Sequence, residues 1–273
     1  MENKNKIHKN KVIFYLISIG LVTYSLLPII LIFFYSLVPN SYISQNKIIF
    51  SLKNYIEILT TMNIKVYFLN SVIVSILSAL FNSILSFLAA YAITRLNIPF
   101  KNFINNILLL FNVVLVLGVF IIVPIFDIIV KLKLFNTLTG LILIYTSLGL
   151  PFSILIFSKF IKELPLEYEE AALIDGFSRF KIIFNIVLPL LKTAFMSIFT
   201  IQFIGYWNEF VFALTLTNSE LKRTLAVGVT LVSTSTNFEI PWGSIMAASF
   251  ISLIPLIILV YNFEKFIIKS VSN

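Results

Sequence analysis

From Val12 to Val38 the chain runs for 27 residues without a charged side chain. About 20 apolar residues, at 1.5 Å of rise each, already cross the roughly 30 Å hydrocarbon layer of a bilayer. As a helix this run would cover about 40 Å, so it is expected to tilt, and Pro28 is a candidate kink. It is longer than the ~7–15-residue core of a cleaved signal peptide and lacks a clear cleavage site, so it reads as an uncleaved first span.

Composition extends that reading to the whole chain. The sequence is 59% hydrophobic and 12% charged, against about 45–50% apolar residues in soluble domains. This is an all-α, polytopic membrane protein. It has no cysteine, which excludes disulfides and thiolate metal sites. The single histidine, His8, lies in a lysine-rich tail and reads as solvated. The net charge of +8 is not a nucleic-acid signature: the basic residues flank apolar runs, as cytoplasmic loops do. The 28 Phe are spread through the spans as packing and lipid-facing residues.

Five further apolar runs follow, at about 66–94, 103–126, 138–158, 193–217 and 243–263, the fourth span being interrupted by Gly149 and Pro151. Six spans place both termini on one side. Of the 20 Lys and Arg, thirteen fall in the N-terminal tail, the Arg95 turn, the 159–192 loop and the C-terminus, and seven in the opposite loops. The positive-inside bias therefore makes the termini and the 159–192 loop cytoplasmic. With no internal repeat or linker, 12–264 reads as one membrane domain between a basic tail, 1–11, and a short tail, 265–273. The expected location is the bacterial plasma membrane.

The 159–192 loop reads either as a plain interhelical connector or as a solvated segment that another protein grips. Five of the twelve acidic residues lie between Glu163 and Asp175. Pro165 suits a first helical turn, Glu167, Glu169 and Glu170 favour the positive end of a helix dipole, and Gly176 supplies a left-handed stop. A second short helix can start after Ser178 as N-cap, carrying Ile182, Ile183 and Ile186 on one side before Pro189 closes it. The product is a helix, a hinge and a helix that cannot lie in lipid and is built to be gripped.

The spacing of Glu170-Ala171-Ala172, Gly176, Ile186 and Leu188-Pro189 resembles the EAA loop of the membrane subunits of ABC importers. Asn70-Ser71, Ala89-Ala90-Tyr91-Ala92 with Arg95, Asn136-Thr137, Pro151-Phe152, Trp207-Asn208-Glu209-Phe210, Thr224-Leu225, Trp242-Gly243 and Pro255 are similar to positions in the carbohydrate branch, in type the second permease of a maltose system. The likeness covers roughly residues 50 to 268. It implies that 170–189 is the coupling helix that docks on a separate ATPase, with Glu170 the docking charge, Ala171, Ala172 and Gly176 allowing close fit and the bend, and Asp175, Ile186, Leu188 and Pro189 completing the motif. It further implies a second permease, an ATPase dimer and an extracytoplasmic solute-binding protein as partners. No cofactor belongs to this chain, and ATP–Mg is hydrolysed on the ATPase. Two departures limit the carry-over. Ile268–Asn273 lacks the longer glycine-rich tail of that branch, and the 218–241 loop is short, so neither tail contact nor substrate gripping is transferred.

Polar residues inside the spans are the remaining candidates. Ser71, Ser75, Ser78, Asn82 and Ser86 stack on one helical face. Helix packing is the favoured reading of that face and a wall of the solute path is the other. Glu209 is the one carboxylate well inside a span, about 25 Å along the fifth. At that depth it must face protein or a water-filled cavity, as a salt-bridge partner, a helix cap or a solute contact. Gln202, Tyr206, Trp207 and Asn208 are neighbours able to hydrogen-bond or stack on a sugar, although Tyr206 and Trp207 also suit an interfacial belt. Asn112 and Tyr145 are weaker candidates.

No phosphate-binding Gly-x-x-x-x-Gly-Lys-Ser/Thr occurs, so the chain is not its own ATPase. A secondary transporter would show repeated halves and paired midplane charges, and an intramembrane enzyme a His-Glu-x-x-His or facing aspartates. The expectation is a non-enzymatic permease subunit of an ATP-driven importer, forming half of a translocation pathway for a sugar. The same importer with an amino acid or phosphate ester as cargo is the alternative.

Overall fold

The computed structural model describes residues 2–43, 49–116, 118–232 and 240–271. Among them the regular structure is helical throughout. In chain order the helices are α1 (Glu2–Ser36), α2 (Asn40–Ile43), α3 (Lys53–Thr61), α4 (Ile64–Arg95), α5 (Lys101–Val116), α6 (Ile122–Lys131), α7 (Leu138–Glu163), α8 (Glu167–Ile174), α9 (Arg179–Ile182), α10 (Leu188–Leu190), α11 (Lys192–Trp207), α12 (Val211–Leu216), α13 (Leu225–Val232) and α14 (Trp242–Val271). One 3₁₀ turn, Gly118–Ile121, precedes α6, another lies at Glu220–Lys222, and a π-turn, Ile183–Val187, joins α9 to α10.

Four segments are long and apolar enough to cross a bilayer: Phe14–Ser36, Ile64–Arg95, Leu138–Glu163 and Trp242–Phe263. A fifth arises if Arg179–Leu190 and Lys192–Trp207, bent by 79° at their junction, count as one. The chain is thus a multi-pass membrane protein. The expected third span is divided: α5 has 16 residues, about 24 Å of helix at 1.5 Å per residue, and a 3₁₀ turn separates it from α6. The fifth is divided too, since α11 ends at Trp207 and α12 begins at Val211. The fourth, by contrast, is not interrupted: α7 continues through Gly149 and Pro151. Pro151 is fully packed, and neighbouring helices let a membrane helix carry a proline without breaking. Pro28 and Pro255 likewise lie inside unbroken helices.

The chain divides into two compact units, 1–64 with 229–254, and 65–228 with 255–273. In the first, Asn54 donates from Nδ2 to the carbonyls of Ser36 and Val38, both at 2.8 Å, so it closes the end of α1. Asn40 ties the start of α14 by accepting from the Gly243 and Ser244 N–H groups and donating to Ser244 Oγ.

The second unit holds the sites. Its larger core gathers Phe87, Tyr91, Phe157, Ile161, Ala172, Ile182, Val187 and Ile198 from α4, α7, the 167–190 segment and α11. A smaller one gathers Val74, Ile129, Leu141, Tyr145 and Leu216. The polar face of α4 is entirely inside: Ser71, Ser75, Ser78, Asn82 and Ser86 are each no more than 2% exposed. Asn82 donates to the Thr146 carbonyl at 3.0 Å and accepts from Ser153 Oγ at 2.7 Å. That is helix-to-helix bonding of the kind small and polar residues permit. Ser71 Oγ accepts the Leu225 N–H at 2.7 Å, and Asn70 donates to the carbonyls of Leu221 and Arg223. Asn136, in the left-handed region at φ 58°, accepts from the Asn218 and Ser219 N–H groups, and Thr137 caps α7 through the Gly140 N–H.

Candidate functional site

The 167–190 segment, the candidate coupling element, forms from local signals. Glu167, Glu169 and Glu170 occupy the first turn of α8, where the helix dipole favours carboxylates. Gly176 adopts φ 80°, a left-handed turn that only glycine enters freely. Its N–H returns to the Leu173 carbonyl while that of Phe177 returns to Ala172, closing the helix end. Ser178 then caps α9 by accepting the Lys181 N–H. Pro165 lies two residues before the first helical position, Glu167, and so outside the first turn: Leu166 is the N-cap, and its carbonyl accepts the N–H groups of Glu169 and Glu170.

The segment has two faces. Ala172, Ile182 and Val187 turn into the core, with Ile186 and Leu188 packed at its edge. Glu170, Ala171, Asp175 and Pro189 are exposed. So are Ile174, at 87%, and Phe180, at 68%. Large apolar side chains thus stand exposed on a charged segment, an unusual surface for a solvated loop.

Glu169 was not distinguishable from its neighbours by sequence, and it is the residue that fixes this segment. Its side chain is buried against Arg95 at the end of α4, with Oε1 2.7 Å from Arg95 Nε. Its Oε2 accepts from Tyr91 Oη at 2.7 Å. The same guanidinium donates to the carbonyls of Ile161 and Leu164, both at 2.8 Å, at the C-terminal end of α7. One arginine thus ties α4, α7 and α8 together, using the fork of donors that lysine lacks.

A second site lies where the fifth apolar run breaks. Between α11 and α12, Glu209 accepts the N–H groups of Phe212 at 2.8 Å and Ala213 at 3.1 Å, which satisfies otherwise orphaned donors of α12. It also accepts the Tyr145 hydroxyl at 2.5 Å. Glu209 is thus a helix cap, and no salt bridge holds it among the described residues. The Tyr145 ring stacks on that of Tyr206, with centroids 5.4 Å apart and planes 10° from parallel. Tyr145, Tyr206 and Glu209, together with Asn112, Gly149 and Gln202, line a cleft of about 420 Å³. Gly149 makes room there, because a Cβ at that position would fall 2.0 Å from Tyr206 Oη.

The other candidates separate. Gln202 lines the cleft and donates to Ser153 Oγ at 2.7 Å. Trp207 is buried beside Phe68 and Phe203, and Asn208 turns back to the Ile204 carbonyl. Ser78 and Asn82 are buried in the α4 face and do not line the cleft. Asn112 and Tyr145, the weaker expectations, both do.

Residues 82–273 match the family described as the binding-protein-dependent transport system inner membrane component. The trehalose/maltose transport system permease protein of Thermococcus litoralis is 37% identical over 224 residues, 81% of this chain and 80% of that protein. The trehalose transport system permease protein of Mycobacterium tuberculosis is 31% identical over 92% of both chains. Among solved structures, a bacterial ABC transporter involved in the import of the acidic polysaccharide alginate superposes with a TM-score of 0.77 at 20% identity, over 93% of this chain and 96% of that one, a likeness of fold. A helical multi-pass chain with these motifs and this match belongs to the family of binding-protein-dependent transport inner-membrane components.

Proposed function

We propose that this chain is the permease subunit of an ATP-driven, binding-protein-dependent ABC importer for a sugar or oligosaccharide. It spans the membrane six times, with both termini cytoplasmic, and forms half of the translocation pathway beside a second permease. An extracytoplasmic binding protein delivers the solute. A separate ATPase dimer hydrolyses ATP–Mg and grips the 170–189 segment. The cargo class is supported by relatives named for trehalose, maltose and diacetylchitobiose.

The observation that carries the coupling reading is the two-faced segment: an apolar and acidic surface at Glu170, Ile174, Asp175 and Phe180 outward, and Glu169 bolted inward to Arg95. A load taken on the outer face passes directly to the ends of α4 and α7. The permease needs no chemistry of its own, because ATPase closure only has to change the relative stability of two pathway conformations.

The test is reconstitution with the second permease, the ATPase and the binding protein in liposomes, with trehalose and maltose as solutes. Uptake should require ATP. Ile174→Glu should abolish ATPase co-purification while the permease still inserts. Solute uptake by this chain alone, or unchanged ATPase binding in Ile174→Glu, would overturn the reading.

A further inference from the structure

Two adjoining clefts follow α7 toward its C-terminal end, with α5 on the other side. The outer one, about 460 Å³, presents Lys159, Lys162 and Glu163 of α7 and Asn105 of α5. The inner one, about 520 Å³, shares Leu155 and Lys159 with it and is otherwise lined by Phe152, Ile156, Phe160 and Asn112. From Phe152 to Lys162 the pair covers about 15 Å of helix, the depth of one leaflet of a ~30 Å hydrocarbon layer.

The outer cleft carries cationic charge that this chain does not answer. Lys159 and Lys162 stand three residues apart on one helical face, and both are exposed. Glu163 lies four residues beyond Lys159, yet neither lysine is in a salt bridge among the described residues. Two lysines against one carboxylate leave the cleft net cationic. The inner cleft is its opposite. Phe152, Leu155, Ile156, Phe160 and the methylene stem of Lys159 offer it carbon. Its one amide, Asn112, spends Nδ2 on the Leu108 carbonyl of its own helix. A soluble anion would use the lysines and leave the apolar trough empty, and an uncharged molecule would leave the lysines unanswered. A molecule with a phosphate at one end and a hydrocarbon chain at the other satisfies both.

We infer that this end of α7 binds one anionic phospholipid of the cytoplasmic leaflet, its phosphate between Lys159 and Lys162 and one acyl chain along Phe152, Leu155 and Ile156. Basic pockets between membrane helices on the cytoplasmic side take headgroups of this kind. A headgroup with a single net negative charge, such as phosphatidylglycerol, matches the cleft, and its glycerol hydroxyls can donate to Glu163. Phosphatidylethanolamine, net neutral, leaves the cationic excess in place. The inference rests on the importer reading only for the orientation that makes this end of α7 cytoplasmic.

The membrane complex purified through this chain is stripped of lipid, titrated with dioleoyl phosphatidylglycerol, and its bound lipid counted by native mass spectrometry. Lys159→Gln with Lys162→Gln should weaken the tightest phosphatidylglycerol site at least about tenfold. Lys131→Gln with Lys133→Gln removes the same charge from exposed positions outside both clefts and should leave that site unchanged. Dioleoyl phosphatidylethanolamine and free glycerol phosphate should each bind far more weakly than phosphatidylglycerol. Equal losses from the two lysine pairs would reduce the effect to overall charge and overturn the inference. Glycerol phosphate as tight as the lipid would make this a soluble-anion site, and phosphatidylethanolamine as tight would remove the charge match. Either result overturns it, as does a complex that holds no phosphatidylglycerol. Lipid counting needs neither ATP nor solute, so a complex that binds phosphatidylglycerol at these lysines but drives no sugar uptake sinks the importer reading and leaves the lipid site standing.

Discussion

Glu169 and Glu209 anchor the two candidate sites of this chain, and they are stabilised in different ways. Glu169 is held by a guanidinium and a phenol that lie 74 and 78 residues away in sequence. Glu209 is held by backbone N–H groups three and four residues ahead and by Tyr145. The first is a long-range rivet joining three helices. The second is mainly a local cap, which allows an apolar run to break and turn without leaving amide groups bare in the membrane. A buried carboxylate therefore means different things at the two places: beside α8 it joins three helices, and at the cleft it shapes a corner.

The largest effect expected from this difference is at Arg95. Arg95→Ala leaves Glu169 buried without its cation and strips two carbonyls at the end of α7 of their donors. Breaking a buried pair in this way costs about 3–5 kcal/mol. Arg95→Met combined with Glu169→Leu removes both charges and should recover most of that loss, since apolar replacement of a buried pair is often near neutral. The unfolding midpoint of the purified complex measures both variants. A double variant no more stable than Arg95→Ala would show that the pair is not the rivet.

At the other end the penalties are smaller. Glu209→Ala removes a helix cap, about 1 kcal/mol, and strands the Tyr145 hydroxyl, about 1–3 kcal/mol. Glu209→Gln keeps an acceptor and breaks no ion pair, so its loss should be about 1 kcal/mol. Glu169→Gln, which unpairs Arg95, should lower the unfolding midpoint further than Glu209→Gln does. Equal losses from the two amide variants would erase the distinction between rivet and cap.

The contrast also marks where sequence reasoning reached and where it stopped. The helix, the Gly176 hinge and the Ser178 cap were legible because each is written within four or five residues. The serine face of α4 was legible as a packing face because helical periodicity alone stacks it. Among Glu167, Glu169 and Glu170, however, the dipole argument treats all three alike. Only Arg95, on another helix, selects Glu169. The break at Asn208 carries no glycine or proline, so the run from 193 to 217 reads as one helix until Glu209 is seen capping α12. Pro151 misleads in the opposite direction, because its local signal to break is overridden by the helices packed around it. That Asn112 and Tyr145 share a cleft is written near neither of them, because the other residues lining it lie far along the chain.

The smallest effects separate two glycines, one in each region. Gly149 is required for space: a Cβ there meets Tyr206 Oη at 2.0 Å and the Asn82 amide nitrogen at 2.7 Å. Gly149→Ala must push Tyr206 off its stack on Tyr145, an overpacking cost of about 1–3 kcal/mol, with the loss of uptake concentrated in the cleft. Gly176 is required for its backbone, as a Cβ would meet nothing within 4 Å while φ is 80°. Gly176→Ala should therefore cost about 1 kcal/mol, the left-handed penalty alone. Gly176→Asn should recover part of it, because asparagine tolerates that region. If the hinge matters only through its φ, ATPase co-purification should follow the order Gly, Asn, Ala. An asparagine variant as poor as alanine would mean that the partner surface needs the bare Cα itself, which would make this hinge a contact rather than a turn.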